Sequence, residues 1–127
     1  MKIIVAADGA WVRDQVKMAF TASGQEVIEV MRGQDVRDTV ARESPDLVVL
    51  DLQIANMGGI AVAIDLHLEA SAGRTPRVPV LLLLDREADR FLAKRAAADG
   101  ELVKPVDAAI LRRAAQRILD RAPAARP

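Results

Sequence analysis

Five short apolar segments, set apart by stretches of helical periodicity, constrain this chain more than any other feature. They are KIIVA (residues 2–6), EVIEV (26–30), DLVVL (46–50), VPVLLLL (78–84) and ELVK (101–104). Three are continuous apolar runs, the pattern of parallel strands whose two faces are both covered. EVIEV alternates more, which suits a strand nearer an edge. Between the segments, Val12, Val16, Ala19 and Phe20 share one helical face, and Val36 and Val40 share another. Ile60, Ile64 and Leu68 predict a third helix, with the Gly58–Gly59 pair freeing the turn before it. Ala88, Phe91, Leu92 and Ala96 predict a fourth. Leu111, Ala114, Ile118 and Leu119 predict a fifth, with Asp107 as its N-cap after Pro105. Gly24 and Gly100 stand where helices would stop. Strand and helix alternate five times, so the fold class is α/β: a parallel sheet with helices on both faces and right-handed crossovers.

A chain of 127 residues fits one domain with a core of its own. Aromatics make up only 2% of it, so that core must be built from Val, Leu, Ile and Ala. Lys plus Arg equals Asp plus Glu at 18 each, and no charge excess steers the chain toward nucleic acid or an anionic membrane. Cysteine is absent and histidine occurs once, which excludes disulfides, thiol catalysis and a histidine-based metal cluster. The N-terminal apolar run is too short for a signal peptide, and VPVLLLL is far short of a membrane span. The expected location is the cytoplasm. Residues 1–121 read as one domain and 122–127, APAARP, as a frayed tail.

In a sheet of this kind ligands bind outside the carboxyl ends of the strands. Strand 1 ends at Ala7-Asp8, strand 3 at Asp51, strand 4 at Leu84-Asp85 and strand 5 at Lys104-Pro105. Two or three carboxylates and one lysine therefore meet on one rim. Carboxylates with backbone carbonyls and water suit Mg²⁺, a hard cation. A carboxylate can also act as a nucleophile and form an acyl phosphate, while a lysine balances phosphoryl charge.

The stretch PDLVVLDL followed by NMGG, and LVKP after ADG, resemble the receiver domain of two-component response regulators over about residues 2–120. The resemblance implies a flavodoxin-like (βα)5 doubly wound parallel sheet with strand order 2-1-3-4-5. It implies Asp51 as phospho-acceptor, Lys104 as the lysine that contacts the phosphoryl group, and Asp8, Asp51 and the Gln53 carbonyl as ligands of Mg²⁺. It also implies a sensor histidine kinase or phosphotransfer protein as donor, and a downstream protein partner on the face of helix 4, strand 5 and helix 5. No enzyme activity is expected beyond self-phosphorylation and autodephosphorylation at Asp51.

Several positions depart from the family's pattern. Receivers usually carry two acids after strand 1, and here the first is Ala7. Strand 4 usually ends in Thr or Ser, and here it ends in Leu84. The aromatic expected three residues before the lysine is Glu101. The small residue expected after the Thr is Asp85, and the Pro after the acceptor loop is Ala55. The chemistry set is kept with weaker Mg²⁺ binding, while the switch set is mostly lost. The expectation is an atypical, stand-alone response regulator. The rival is a pseudo-receiver that binds its partner regardless of phosphate. A small phosphatase on the same fold ranks below both, because Gln53 and not an acid lies two residues beyond Asp51.

Each residue also has a plainer reading. Asp51 could be a turn acid, Asp8 an N-cap for helix 1, and Lys104 a solvated lysine. Asp85 is open between site and surface. His67 reads as an exposed helix residue and Trp11 as packing. DREADR reads as a solvated helix start and Arg112-Arg113 as the outer face of the last helix.

Overall fold

A computed structural model describes residues 1–54 and 57–121. Ala55 and Asn56, in the expected acceptor loop, and the expected tail lie outside the described residues. Five strands alternate with helices: β1 (Lys2–Ala6), α1 (Ala10–Thr21), β2 (Glu26–Val30), α2 (Val36–Glu43), β3 (Leu47–Asp51), α3 (Gly59–Ser71), β4 (Val80–Leu84), α4 (Arg90–Arg95), β5 (Gly100–Val103) and α5 (Ala108–Arg121). The strands form one parallel sheet in the order β2-β1-β3-β4-β5. Alternating EVIEV is an edge strand, and the continuous apolar runs are the three central ones.

The period-2 alternation of each strand sorts its side chains into two layers. Ile4, Ala6, Val48, Leu50, Leu82 and Leu84 face α2, α3 and α4. Ile3, Val5, Leu47, Val49, Leu81 and Leu83 face α1 and α5. Apart from Lys2 at the start of β1 the central strands are buried, so their backbone polar groups have no water to turn to and are satisfied by the ladders. Helices α1, α2 and α5 bury the expected faces, and Asp107 caps α5 through its Oδ1, which accepts from the Ile110 N–H at 2.8 Å.

Two helices are rotated from expectation. Helix α3 buries Gly59, Val62, Ala63 and Leu66, while Ile64 and Leu68 are exposed. GIAVAIDLHLEAS is apolar around most of its circumference, so periodicity alone does not choose a face. Gly59 chooses it, because a Cβ there would overlap the carbonyl oxygen of Asp51. The residue that approaches closely must be glycine, and Val62, Ala63 and Leu66 follow it on the same face at i+3, i+4 and i+7. Gly59 thus serves close packing, while Gly58 is in ordinary extended geometry at φ −62°, ψ 158° with room for a Cβ.

Helix α4 is only six residues long and follows a single 3₁₀ turn at Glu87–Asp89. Its buried residue is Ala93; Ala96, just past its end, is buried as expected, while Phe91 and the preceding Ala88 are exposed. The DREADR segment is less solvated than expected. Asp89 is buried, and its carboxylate accepts from the Arg86 backbone N–H and guanidinium, each at 3.1 Å. Gly24 ends α1 at φ +81°, as expected, but Gly100 opens β5. A Cβ at Gly100 would press on Ile118 of α5 at 2.8 Å, so glycine there lets α5 seat against the sheet. Ala97, at φ 59°, follows α4 in the left-handed conformation instead. Of the arginine pair, Arg112 reaches across to the Ala19 carbonyl of α1 at 3.1 Å and ties the two helices of that layer together.

Candidate functional site

The carboxyl ends of β1, β3, β4 and β5 bring the expected residues onto one rim. Asp51 is the last residue of β3 and is buried. Lys104 directly follows β5 and reaches back to it, with Nζ donating to Asp51 Oδ1 at 2.6 Å. The peptide bond from Lys104 to Pro105 is cis. Asp51 Oδ1 also accepts the Gln53 backbone N–H at 3.3 Å, so the turn-acid reading holds alongside the lysine pair. Both bonds fall on Oδ1, which leaves Oδ2 without a partner among the described residues.

Asp8 enters from β1. Its backbone N–H donates to the Gln53 carbonyl at 2.9 Å, which fixes the β1 and β3 rims against each other. The N-cap of α1 is Gly9, with no side-chain cap, so the exposed Asp8 carboxylate is not committed to the helix. Trp11 is exposed on the first turn of α1, against Gly9, rather than packed. Arg13, one turn further on, donates to the carbonyls of Ala7 and Asp8 at 2.7 and 2.9 Å. This hold on the Asp8 turn was invisible in the sequence, where Arg13 is one charged residue among many on a helix.

Asp85 belongs to the site. Lys104 Nζ donates to Asp85 Oδ1 at 3.0 Å, and the Gln53 side-chain amide donates to Asp85 Oδ2 at 3.4 Å. The lysine hydrogen bond holds the Asp85 carboxyl below its usual pKa. For Lys104, burial works to lower the pKa, but hydrogen bonds to Asp51 and Asp85 outweigh it and the net shift is upward. Lys104 is thus an ammonium held between two carboxylates.

The two positions where the resemblance expects a switch are committed elsewhere. Leu84 is fully buried in the core layer of α2, α3 and α4. Glu101 pairs with Arg90 of α4 at 3.4 Å, and Arg90 also holds Glu87 at 2.6 Å. Where an aromatic was expected, an ion-pair chain joins β5 to α4. His67 is exposed, as expected. It lines a cavity of about 200 Å³ with Ala63, Leu66, Val78 and Asp99, at the opposite, amino-terminal end of β4 and β5.

A doubly wound sheet of this strand order, with acids and a lysine on its carboxyl rim, defines a flavodoxin-like α/β protein. The family model for the response regulator receiver domain matches residues 3–116, and the chain belongs to that family, the receivers of two-component signalling. It is 31% identical over 95% of its length, and 48% of the relative's, to the Porphyra purpurea protein named "Probable transcriptional regulator ycf27". The chain spans about half the length, or less, of the curated relatives it matches. Among solved structures it superposes on the chemotaxis response regulator CheY4 of Vibrio cholerae with a TM-score of 0.80, at 22% identity over 92% of this chain and 97% of that one. The receiver domain of a sensor histidine kinase from Pseudomonas aeruginosa gives 0.81 at 21% identity, over 94% and 97%, and that structure holds a magnesium ion in its active-site cleft.

The residues here fit that ion in kind. Asp8, Asp51 and the Gln53 carbonyl are hard oxygen donors on adjoining rims, the donor type that Mg²⁺ takes. Among the described residues no group of three acids, histidines or cysteines forms a metal cluster. The site offers two carboxylates and a carbonyl, the set left once Ala7 replaces the other acid. No helix among the described residues is long and apolar enough to cross a membrane.

Proposed function

We propose that Asp51 accepts a phosphoryl group from a histidine of a sensor kinase or phosphotransfer protein, and that the domain passes this state on by protein contact. The observation that carries the reading is the 2.6 Å pair between Lys104 Nζ and Asp51 Oδ1 at the carboxyl ends of β5 and β3. Oδ1 is turned to the lysine, and Oδ2 is the nucleophile. The new bond joins Oδ2 to phosphorus, the donor's phosphorus–nitrogen bond breaks, and its electron pair leaves with the imidazole, which takes up a proton. Lys104 neutralises charge on the transferred group, and Asp8, Asp51 and the Gln53 carbonyl would hold Mg²⁺. The ion supplies further charge neutralisation when bound. Downstream contact is assigned to α4, β5 and α5.

A second reading is a module that binds its partner without phosphate. The full burial of Leu84 and the commitment of Glu101 to Arg90 favour it, because they remove the usual response to a phosphoryl group. Magnesium discriminates the two. Trp11 stands exposed beside the Asp8 turn, so its fluorescence should change on Mg²⁺ titration and Asp8→Asn should abolish the change. A protein that takes up no Mg²⁺ by this titration and by calorimetry would favour the second reading.

A further inference from the structure

Asp85 completes a ring of four residues. Lys104 Nζ bridges Asp51 Oδ1 and Asp85 Oδ1 at 2.6 and 3.0 Å on one side. Gln53 bridges the same two acids on the other, with its backbone N–H to Asp51 Oδ1 at 3.3 Å and its side-chain amide to Asp85 Oδ2 at 3.4 Å. Both oxygens of Asp85 are therefore held. The ring is layered from inside outward: the side chains of Asp51, Lys104 and Asp85 are 3%, 14% and 38% exposed. A phosphoryl group on Asp51 extends outward from the innermost layer and needs Lys104, whose outward side is already taken by a carboxylate.

We infer that Asp85 is a positioning residue that occupies Lys104 in the resting protein as a phosphoryl oxygen would, and that phosphorylation acts by displacing it. The inference rests on the reading of Asp51 as phospho-acceptor. Three observations support it. First, a lysine ammonium is a compact point charge. Once Asp51 carries a phosphoryl group, with its charge of about −1.5 to −2, that group and Asp85 are like charges competing for Lys104. Second, Leu84 offers no hydroxyl to be drawn inward, so the charged group next to it is the one that can respond. Third, Asp85 is the first residue after β4, and Arg86 directly after it is bonded to Asp89 in the turn that starts α4. The following ion pairs from Arg90 reach Glu87 and Glu101. Outward movement of Asp85 is thereby delivered to the α4–β5 side of the domain. Here the switch is a push by like charge, where the family's pattern expects a pull by a hydroxyl.

The test is a ¹⁹F NMR titration of beryllofluoride with Mg²⁺ into wild type, Asp85→Asn and Asp85→Glu, beside amide spectra of residues 86–90. Asparagine keeps the shape and removes the charge, and glutamate keeps the charge. Asp85→Asn should bind the phosphoryl mimic about tenfold more tightly, as expected if Lys104 is free of Asp85 about one time in ten. Its resting amide signals for residues 86–90 should already lie part-way toward those of beryllofluoride-bound wild type, which a merely structural role would not produce. Asp85→Glu should stay close to wild type in affinity. Equal affinity of wild type and Asp85→Asn would overturn the displacement and leave Asp51 as acceptor. No binding by any of the three would overturn both.

Discussion

Leu84→Thr restores a hydroxyl at the end of β4, and its cost can be worked from the structure. Leu84 is fully buried among Leu50, Leu82 and Ala93. The change removes two apolar carbons, about 1.6 kcal/mol of transfer energy at about 0.8 kcal/mol each. It also buries a hydroxyl with no assured partner, at about 1–3 kcal/mol. A net loss of about 3 kcal/mol follows. At about 2.1 cal/mol/K per residue over 127 residues, that lowers the melting temperature by about 10 °C. With Mg²⁺ and beryllofluoride the hydroxyl gains a charged acceptor, a bond contributing about 1.5–3 kcal/mol, so the variant should recover about 5–10 °C more than wild type does. The assay is thermal unfolding by circular dichroism with and without the mimic, with Trp11 fluorescence recording the spectral change in parallel. Equal ligand-induced shifts in both proteins would refute the claim that Leu84 removes part of the switch. A variant melting within about 2 °C of wild type without ligand would refute the packing argument, since the expected loss is several-fold larger.

Two further outcomes follow from a backbone packing contact and an ion pair. Gly59→Ala drives a Cβ into the Asp51 carbonyl and should cost about 1–3 kcal/mol in urea unfolding, because backbone cannot yield as a side-chain tip does; an unaffected midpoint would mean α3 is not seated there. Glu69 pairs with Arg74 at 2.8 Å, and that hydrogen bond lowers its pKa when folded. Its contribution is therefore complete above the unfolded carboxylate value, about 4.3, and fades as pH falls through the lower folded value. The melting-temperature gap between wild type and Glu69→Gln should be open at pH 6 and close in acid; a gap that widens in acid would contradict the assignment.

The strands were legible because a continuous apolar run has few other uses at this length. Their ends were legible for the same reason: once Leu50 and Val103 lie in parallel strands, Asp51 and Lys104 must share a rim. The helix faces were less so. Helix α3 offers apolar residues all round, and the deciding contact is between Gly59 and a backbone carbonyl, which no side-chain pattern records. Helix α4 is too short for periodicity to speak, and its buried face includes Ala93, one position from the expected stripe. Asp85 could be placed at the strand end from sequence, but its bond to Lys104 depends on how far β5 runs beside β4. The register, which pairs Leu84 with Val103, brings the next residue of each strand side by side. Gly100 was misread because a glycine before a strand looks the same whether it ends a helix or makes room for Ile118.

Everything proposed for this rim depends on Asp51 taking a phosphoryl group. Intact-mass spectrometry after incubation with acetyl phosphate and Mg²⁺, beside an Asp51→Asn control of the same fold, tests it most directly. A single phosphoryl adduct is expected in the wild type, absent from the control and from wild type deprived of Mg²⁺. A folded wild type that takes no adduct, or an adduct that persists in Asp51→Asn, would contradict it.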